Sequence, residues 1–282
     1  MTRTVAIITD STSDLTPETQ ERHGITVVPL NVHFGQETFQ DGVDLDADAF
    51  MEKMATADRL PTTSQPAVGA FESAFRELAV DYREICCVLI SGKLSGTAQS
   101  ATLAAEAVAD LVRVEIVDSE SVTYGLGFQV LRAAALADQG LDAAGIGETL
   151  AAETASYHVV FFVETLEHLR RGGRIGKAAQ LLGSMIQLRP LLRVEGGQIV
   201  PFERTRTRSK ATAALLDFAR DLASVEKAAV FYNTTPEDAV DLARHLADVT
   251  KTEVEAIQVG PVISTHVGPG VLGVVLKEGP GE

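Results

Sequence analysis

The chain has 282 residues, a net charge of −15 and two cysteines, and 45% of its residues are hydrophobic. A chain of this length can bury a sizeable core and is expected to form two lobes. The negative charge disfavours nucleic acid and anionic membrane surfaces as partners, and an aromatic content of 5% without tryptophan offers no evident surface for stacking bases.

The two cysteines and the lengths of the apolar runs indicate in which cellular compartment the protein is expected. Cys86 and Cys87 are adjacent in an apolar run, so strand geometry would point them to opposite faces as buried thiols. A disulfide between neighbours would be strained, which makes a reducing compartment the better fit. The N-terminal sequence lacks a signal-peptide pattern, and no apolar run approaches the roughly 20 residues of a membrane-spanning helix. We therefore expect a cytoplasmic protein without stable membrane insertion.

Strands and helices alternate through the first half of the sequence. Apolar, β-branched runs predict strands at residues 5–9, 25–34, 85–90 and 113–117. Cap residues and apolar residues at a spacing of three to four predict helices at 46–57, 68–82, 98–110, 122–138 and 142–155. This alternation predicts a Rossmann-like α/β lobe over residues 1–155, with a parallel sheet flanked by helices.

A second, C-terminal α/β lobe is predicted for residues 156–282. A strand at residues 158–163 opens it, and residues 189–202 are typical of a hairpin. The remaining predicted elements are helices at 209–223 and 236–248 and strands at 228–232 and 254–259.

Two clusters of hydroxyl side chains each precede a predicted helix. Backbone N–H groups at a helix N-terminus, together with hydroxyls, suit a carboxylate or a phosphate. The simpler alternative is that these residues only cap the helices. The clusters are Thr62, Thr63 and Ser64, between two prolines, and Ser95, Gly96 and Thr97, at a strand-to-helix turn.

Two further places could contribute polar groups to a pocket. Asp10, Ser11 and Thr12 follow the first strand, at the sheet edge where α/β proteins usually bind ligands, although a turn and helix cap would explain them equally well. Near the C-terminus, His266 is predicted to lie in a Gly/Pro-rich turn after a strand, not on a helix face. A histidine there could donate a hydrogen bond to a carboxylate or move a proton, or it could simply face solvent.

Two segments resemble cofactor sites but lack required residues. Residues 41–48 contain four aspartates, yet no glycine stands at the position that a calcium loop requires, and the closing glutamate is missing. The pair Gly176-Lys177 lacks the earlier glycine of a phosphate loop, and Ala178 stands where serine or threonine is needed. We therefore expect neither a metal nor a nucleotide cofactor.

Positive charge is concentrated between residues 170 and 210. This window holds ten of the 24 lysine and arginine residues and only two acidic residues, Glu195 and Glu203. The alternation Arg204-Thr205-Arg206-Thr207-Arg208 would place several guanidinium groups on one side of a strand. The window therefore predicts a surface for an acidic partner or a phosphoryl group, unless the charges are scattered and solvated.

Six short segments, in order along the chain, resemble the DegV family of fatty-acid-binding proteins. The sequence departs from the family pattern at Gly92 and Val267, where the family often has hydroxyl residues. The matching segments are Ile8–Thr12, Thr63–Pro66, Leu94–Thr97 with Gln99–Ala101 after it, Val117–Ser119, Gly172–Ile175 and His266–Gly270.

This resemblance implies two α/β lobes with one long-chain fatty acid buried between them and no catalysis by the chain itself. It implies that the carboxylate is held by Thr63, Ser95 and His266. It further implies a separate fatty-acid kinase as partner, which converts the presented carboxylate to an acyl phosphate and docks near Arg174 and Arg206. The neighbouring residues that we also expect to bind the carboxylate are Thr62, Ser64, Gly96 and Thr97.

Two other functions stay open from the sequence. A serine hydrolase acting on lipid esters would use Ser95 as nucleophile and His266 as base, although Gly92 lies three residues before Ser95 and not two, as the G-x-S-x-G motif requires. A regulatory protein that senses a small anion would use the same hydroxyl clusters without a lipid.

Overall fold

The computed structural model describes residues 3–182 and 189–279. The strands are β1 (Val5–Asp10), β2 (Ile25–Val28), β3 (Asn31–Phe34), β4 (Glu37–Gln40), β5 (Thr62–Ser64), β6 (Glu84–Leu89), β7 (Arg113–Asp118), β8 (Tyr157–Phe162), β9 (Arg189–Glu195), β10 (Gln198–Thr205), β11 (Val225–Tyr232), β12 (Val254–Gln258) and β13 (Leu272–Glu278). The α-helices are α1 (Pro17–His23), α2 (Ala47–Thr56), α3 (Val68–Leu78), α4 (Thr97–Ala107), α5 (Tyr124–Asp138), α6 (Ala143–Glu153), α7 (Glu167–Arg171), α8 (Arg208–Asp221), α9 (Pro236–Thr250) and α10 (Pro261–Val267).

A parallel four-stranded sheet in the order β2-β1-β6-β7 forms the first half of the fold. Helices α3 and α4 cover one face and α5 and α6 the other, so the central strands are buried on both sides. Alternating strand geometry points Cys86 to the α5 side and Cys87 to the α3 side, and both thiols are free and buried. The structure confirms the predicted α/β class and its flanked parallel sheet.

The second half is built on a mixed six-stranded sheet in the order β10-β9-β8-β13-β11-β12. Strands β11 and β12 pair in parallel, and the other pairs of this sheet are antiparallel in the part of the chain that the structure describes. Helices α8 and α9 cover one face, where Leu242 of α9 and Phe162 of β8 belong to the same buried cluster. The opposite face, with Val159 and Phe161, joins the core that also contains α5 and β1. The two sheets therefore share one apolar core.

A small antiparallel sheet, β4-β3-β5, corrects the prediction for Thr62–Ser64. The three residues form an edge strand, with Thr63 paired to Val32, and α3 begins only at Val68. Pro66 disfavours helical angles at Gln65, so the extended segment continues until the proline has been passed. The predicted strand at 25–34 is likewise divided between two sheets, as β2 and β3.

His266 lies on a helix, so its predicted position in a turn is wrong. It occupies the last turn of α10, which begins at Pro261 and ends before Gly268, where φ is 72°. Proline fits the first position of a helix because that residue needs no N–H partner there, and glycine readily adopts the positive φ after the last turn. The prediction treated Gly268 as part of a turn around His266, when it ends a short helix that begins at Pro261.

The predicted row of guanidinium groups on one strand is also wrong. Strand β10 ends at Thr205, Arg206 is exposed after it, and Arg208 begins α8. Half of the ten basic residues in the window are neutralised by acidic neighbours. The paired residues are Arg170, Arg171, Arg189, Arg193 and Arg208.

Candidate functional site

An apolar cavity lies between the carboxyl edge of the four-stranded sheet and the inner face of the six-stranded sheet. It contains about 680 Å³ that no protein atom fills, part of it continuous with solvent. Twelve apolar side chains line it, and they come from both halves of the chain. They are Leu30, Ile90, Leu94, Val122, Val159, Phe161, Leu169, Ile199, Phe231, Val262, Ile263 and Val267.

The polar lining residues include a partly buried histidine–threonine pair. Nε2 of His266 lies 2.8 Å from Oγ1 of Thr63, although 203 positions separate them in sequence. Burial lowers the pKa of His266 to about 4, and the nearby charge of Arg174 and then His168 add to this effect. The imidazole is therefore neutral at physiological pH. Its Nδ1 is buried without a hydrogen-bond partner among the described residues.

Arg174 lies beside this pair and connects it to the loop after β6. Its Nε donates to the carbonyl of Leu94 at 2.9 Å, and Nη1 donates to the carbonyl of Gly172 at 2.7 Å. Gly172 in turn packs on the imidazole, because a Cβ at this position would meet Nδ1 and Cε1 of His266. The guanidinium and the imidazole thus both contact Gly172, and both residues line the cavity.

The loop between β6 and α4 brings a second hydroxyl to the cavity. Ser95 Oγ lies 2.8 Å from Oγ1 of Thr97, the first residue of α4, and Ser95 lines the cavity. Gly96 caps the helix and packs on the amide of Gln65, whose Nε2 would lie 2.7 Å from a Cβ at Gly96. This contact holds the loop of Ser95 against the segment that carries Thr63, so the two predicted hydroxyl clusters do converge.

A surface groove adjoins the polar end of the cavity. Thr63, Arg174 and His266 line both the cavity and this groove. The groove also includes Thr62, Arg171 and His168. A group held between Thr63 and Arg174 would therefore lie at the boundary between the apolar interior and the protein surface.

The predicted site residues differ in whether they line the cavity. Thr63, Ser64, Ser95, His266 and Arg174 line the cavity. Arg206 is exposed and lies outside it. The residues that neighbour the cavity without lining it are Thr62, Gly96 and Thr97.

The pocket candidates after the first strand are not in the cavity lining. The carboxylate of Asp10 accepts hydrogen bonds from the backbone of Thr12 at 2.9 Å and of Ile90 at 2.8 Å. Ser11 Oγ accepts from the backbone of Leu30. These side chains fix the ends of the strands that frame the cavity.

Sequence reasoning missed Gln65 and Gly172. Gln65 directly follows the hydroxyl cluster and precedes Pro66, and Gly172 belongs to a Gly-Gly pair next to Arg174. Both residues lie inside segments that had been singled out, but their roles depend on contacts with Gly96 and His266, which are distant in sequence.

The residues that the hydrolase alternative requires have other partners. His266 is bonded to Thr63, and Ser95 to Thr97. Within residues 3–182 and 189–279, no three His, Cys, Asp or Glu side chains are grouped as metal ligands would be. In the same part of the chain, no helix has both the length and the apolar character needed to cross a bilayer.

Comparisons with known proteins cover almost the whole chain. A DegV domain-containing protein of Deinococcus radiodurans is 40% identical over 277 residues, which are 97% of this chain and 98% of that protein. The structure is similar to a fatty-acid-binding DegV family protein of Thermus thermophilus, with a TM-score of 0.89 at 32% identity over 97% of this chain and 99% of the other. It is equally similar to DegV of Bacillus subtilis, a fatty acid binding protein, at 34% identity over 99% and 100% of the two chains.

The family assignment follows from the extent of these matches. The DegV family model matches residues 4–278, which include both sheets and the cavity between them. The chain belongs to the DegV family.

Proposed function

We propose that this protein binds one long-chain fatty acid, with the acyl tail in the apolar cavity and the carboxylate among Thr63, Ser95 and His266. The observation that carries the proposal is the cavity itself, which is lined by twelve apolar side chains and has hydroxyls, an imidazole and a guanidinium beside a surface groove. The relatives from Thermus thermophilus and Bacillus subtilis, both described as fatty acid binding, support it.

The apolar tail would supply most of the affinity. Each CH₂ group transferred from water to the cavity contributes about 0.8 kcal/mol, so a long acyl chain gains on the order of 10 kcal/mol before the costs of association. The apolar lining therefore favours a lipid over the small anion that the sequence left open.

The carboxylate would be oriented by a short hydrogen-bond relay. Because His266 is neutral, its Nε2–H can donate to Oγ1 of Thr63, which leaves the threonine hydroxyl free to donate to the ligand. Ser95 would donate from the opposite loop. Ser64 lies next to Thr63, and the loop N–H groups of Gly96 and Thr97 are close to Ser95. Charge-assisted hydrogen bonds of this kind offset the loss of water around the carboxylate.

We further propose that the protein presents this carboxylate to a separate fatty-acid kinase for conversion to an acyl phosphate, and that it performs no chemistry and needs no cofactor of its own. The groove beside Thr63 and Arg174 would admit the kinase to the head group. Arg174 and the exposed Arg206 would contact that partner. The free thiols of Cys86 and Cys87 suit a location in the reducing cytoplasm.

We also propose that residues 1–155 and 156–282 act as two lobes. All strands of the parallel sheet come from the first segment, and all strands of the mixed sheet come from the second. The cavity is lined from both, so a ligand there would bridge them.

Calorimetry with palmitate on Thr63→Ala, Ser95→Ala and the double variant tests the proposal. Loss of a hydrogen bond to a charged group costs about 1.5–3 kcal/mol, so each single change should weaken binding roughly tenfold to a hundredfold without abolishing it. Thr102→Ala is the matched control, because Thr102 is an exposed threonine on α4 that does not line the cavity and whose hydroxyl donates to the carbonyl of Ala98. An unchanged affinity in the double variant would rule out these hydroxyls as carboxylate ligands.

A further inference from the structure

Two aspartates from the first half of the chain converge on the beginning of α10. Oδ1 of Asp14 accepts the N–H of Gly260 at 2.9 Å, and Oδ1 of Asp41 accepts the N–H of Val262 at 3.3 Å. Both carboxylates crowd the same glycine, since a Cβ at Gly260 would lie 3.0 Å from Asp41 Oδ1 and 3.4 Å from Asp14 Oδ1. These bonds join segments separated by more than 200 residues.

The helix they hold covers the cavity. Four lining residues, Val262, Ile263, His266 and Val267, belong to α10. A buried ligand would therefore remain covered while the first turn of α10 stays bonded to the two aspartates. Asp14 and Asp41 do not line the cavity, so any effect on the ligand would be exerted through the lining residues that they hold, which are those of α10 and, for Asp14, also Thr123.

The two carboxylates lie where a second negative charge is unfavourable. Asp41 is 3% exposed, and its Oδ2 has no hydrogen-bond partner in the described part of the chain. Asp14 is partly buried and accepts the hydroxyl of Thr123 on its second oxygen. The charges that act on Asp14 are those of Asp41 and then Asp10, and the charge that acts on Asp41 is that of Asp10.

Other titratable groups also belong to the surrounding elements, and the cations of α2 and α7 are paired with acidic residues: Lys53 with Glu37, and Arg170 and Arg171 with Glu167. Tyr124 begins α5, and burial next to Glu255 raises its pKa to about 12. Cys87 on β6 is a buried thiol whose pKa is also raised. Asp48 on α2 accepts the amide of Gln258, and His266 lies at the far end of α10. None of these groups places a positive charge beside the pair at neutral pH.

We propose that Asp14 and Asp41 are positioning residues that act as a proton-dependent latch: protonated, they keep α10 closed over the ligand, and loss of the proton loosens α10 and speeds ligand release. The proposal rests on the proposed function for the identity of the ligand, but not for the latch itself.

The direction of the pH effect follows from where the carboxyl groups lie. Burial, and then the neighbouring aspartates, raise the pKa of Asp14, and burial and Asp10 raise that of Asp41 to about 6. The hydrogen bonds from Gly260 and Val262 favour the ionised carboxylates and oppose this shift, but burial outweighs them at both sites. In an open form both groups would meet water and return toward 3.8, the ordinary value. The closed form therefore binds protons more tightly than the open form. The extra stability that these protons give the closed form over the open form is fully present below the ordinary pKa and is lost as the pH rises through the raised pKa values.

The test is the rate at which a bound fluorescent fatty acid, cis-parinaric acid, dissociates between pH 6.0 and 8.5. We expect the rate constant of the wild type to rise by roughly tenfold over this range, since each proton lost on opening changes the equilibrium by up to about tenfold per pH unit. In Asp14→Asn/Asp41→Asn, whose amides keep the acceptor oxygens and cannot ionise, it should change less than about twofold. The ligand's own titration is common to both proteins and cancels in the comparison.

Asp142→Asn is the matched control. Asp142 also accepts a backbone N–H at a helix start, from Gly145 at 2.8 Å, but it is exposed on α6. The dissociation rate constant of this variant should depend on pH as it does in the wild type. A wild-type rate that does not change with pH, or a double variant with the wild-type slope, would overturn the latch. If the double variant does not fold, Asp14→Asn alone must reduce the slope.

A measurement without ligand separates the latch from the proposed function. The melting temperature of the double variant relative to wild type should rise steadily from pH 5 to pH 8.5, because only the wild type loses protons as it is titrated. A difference that stays constant would contradict the latch. Failure of cis-parinaric acid to bind at any pH would instead contradict the proposed function, and the melting comparison would then decide the latch by itself.

Discussion

A single methyl group added at Gly172 should weaken ligand binding without contacting the ligand. Gly172 has φ −71° and ψ −11°, a right-handed helical conformation that alanine adopts without strain. By helix propensity alone, Gly172→Ala would stabilise the protein by up to about 1 kcal/mol. A Cβ at this position, however, would meet Nδ1 of His266, lie 2.9 Å from Cε1 and lie 3.2 Å from the carbonyl of His168. The imidazole must therefore move.

The cost can be worked out from the contacts of the ring. A displacement of the order of 1 Å would break the 2.8 Å bond between His266 and Thr63, and the buried imidazole would then have both nitrogens unsatisfied. An unsatisfied buried polar group costs about 1–3 kcal/mol. Gly172→Ala should therefore leave the free energy of unfolding nearly unchanged or lower it. The loss of orientation at Thr63 should reduce fatty-acid affinity about tenfold, or roughly 1.4 kcal/mol.

Calorimetry with palmitate and thermal melting measure the two effects. Gly69→Ala is the control, since Gly69 lies in α3 and a Cβ there would meet nothing within 4 Å. It should raise the melting temperature and leave the affinity unchanged. If Gly172→Ala bound palmitate as tightly as the wild type, the position of His266 would not matter for the head group, and this reasoning would be wrong.

Two further changes test the cavity wall and the imidazole. At Gly273 a Cβ would lie 2.6 Å from Cβ of Phe161 and 2.5 Å from Cε1 of Phe231. Gly273→Ala should therefore push these rings into the cavity and lower the ratio of the affinities for C18 and C14 fatty acids several-fold, as measured by calorimetry. Chemical denaturation should show a loss of about 1–3 kcal/mol in the free energy of unfolding. An unchanged ratio would contradict this. Because the pKa of His266 falls to about 4 on folding, its contribution to stability is present above the ordinary value of 6.5 and is lost as the pH drops toward 4. The melting temperature of His266→Asn should therefore fall less steeply than that of the wild type as the pH is lowered from 6.5 to 4. An identical pH dependence in the two proteins would refute the buried, neutral imidazole.

Local patterns were sufficient to predict the parallel sheet. The run Val5–Asp10 is buried at every position, as expected for a central strand covered by helices on both faces. The helices predicted at 122–138 and 142–155 match α5 and α6 to within two residues at each end. These elements were predictable because hydrophobic periodicity, caps and breakers all lie within a few residues of one another.

Elements defined by distant partners were not predictable in this way. Residues 62–64 form a strand only because β3 supplies the pairing partner, and the single predicted strand at 25–34 is divided between two sheets. His266 was singled out from its Gly/Pro-rich surroundings, but its bond to Thr63 depends on how two halves of the chain pack. The role of Asp14 and Asp41 has the same origin, since their partners lie at residues 260 and 262.

Native mass spectrometry of the purified protein, followed by denaturing extraction, tests the central claim most directly. We expect a mass increase that is extracted as one C14–C18 free fatty acid per chain, and we expect less of it to be retained by the Thr63→Ala/Ser95→Ala variant. A protein that is purified without ligand, and that remains so after incubation with fatty acids, would contradict fatty-acid binding in the cavity.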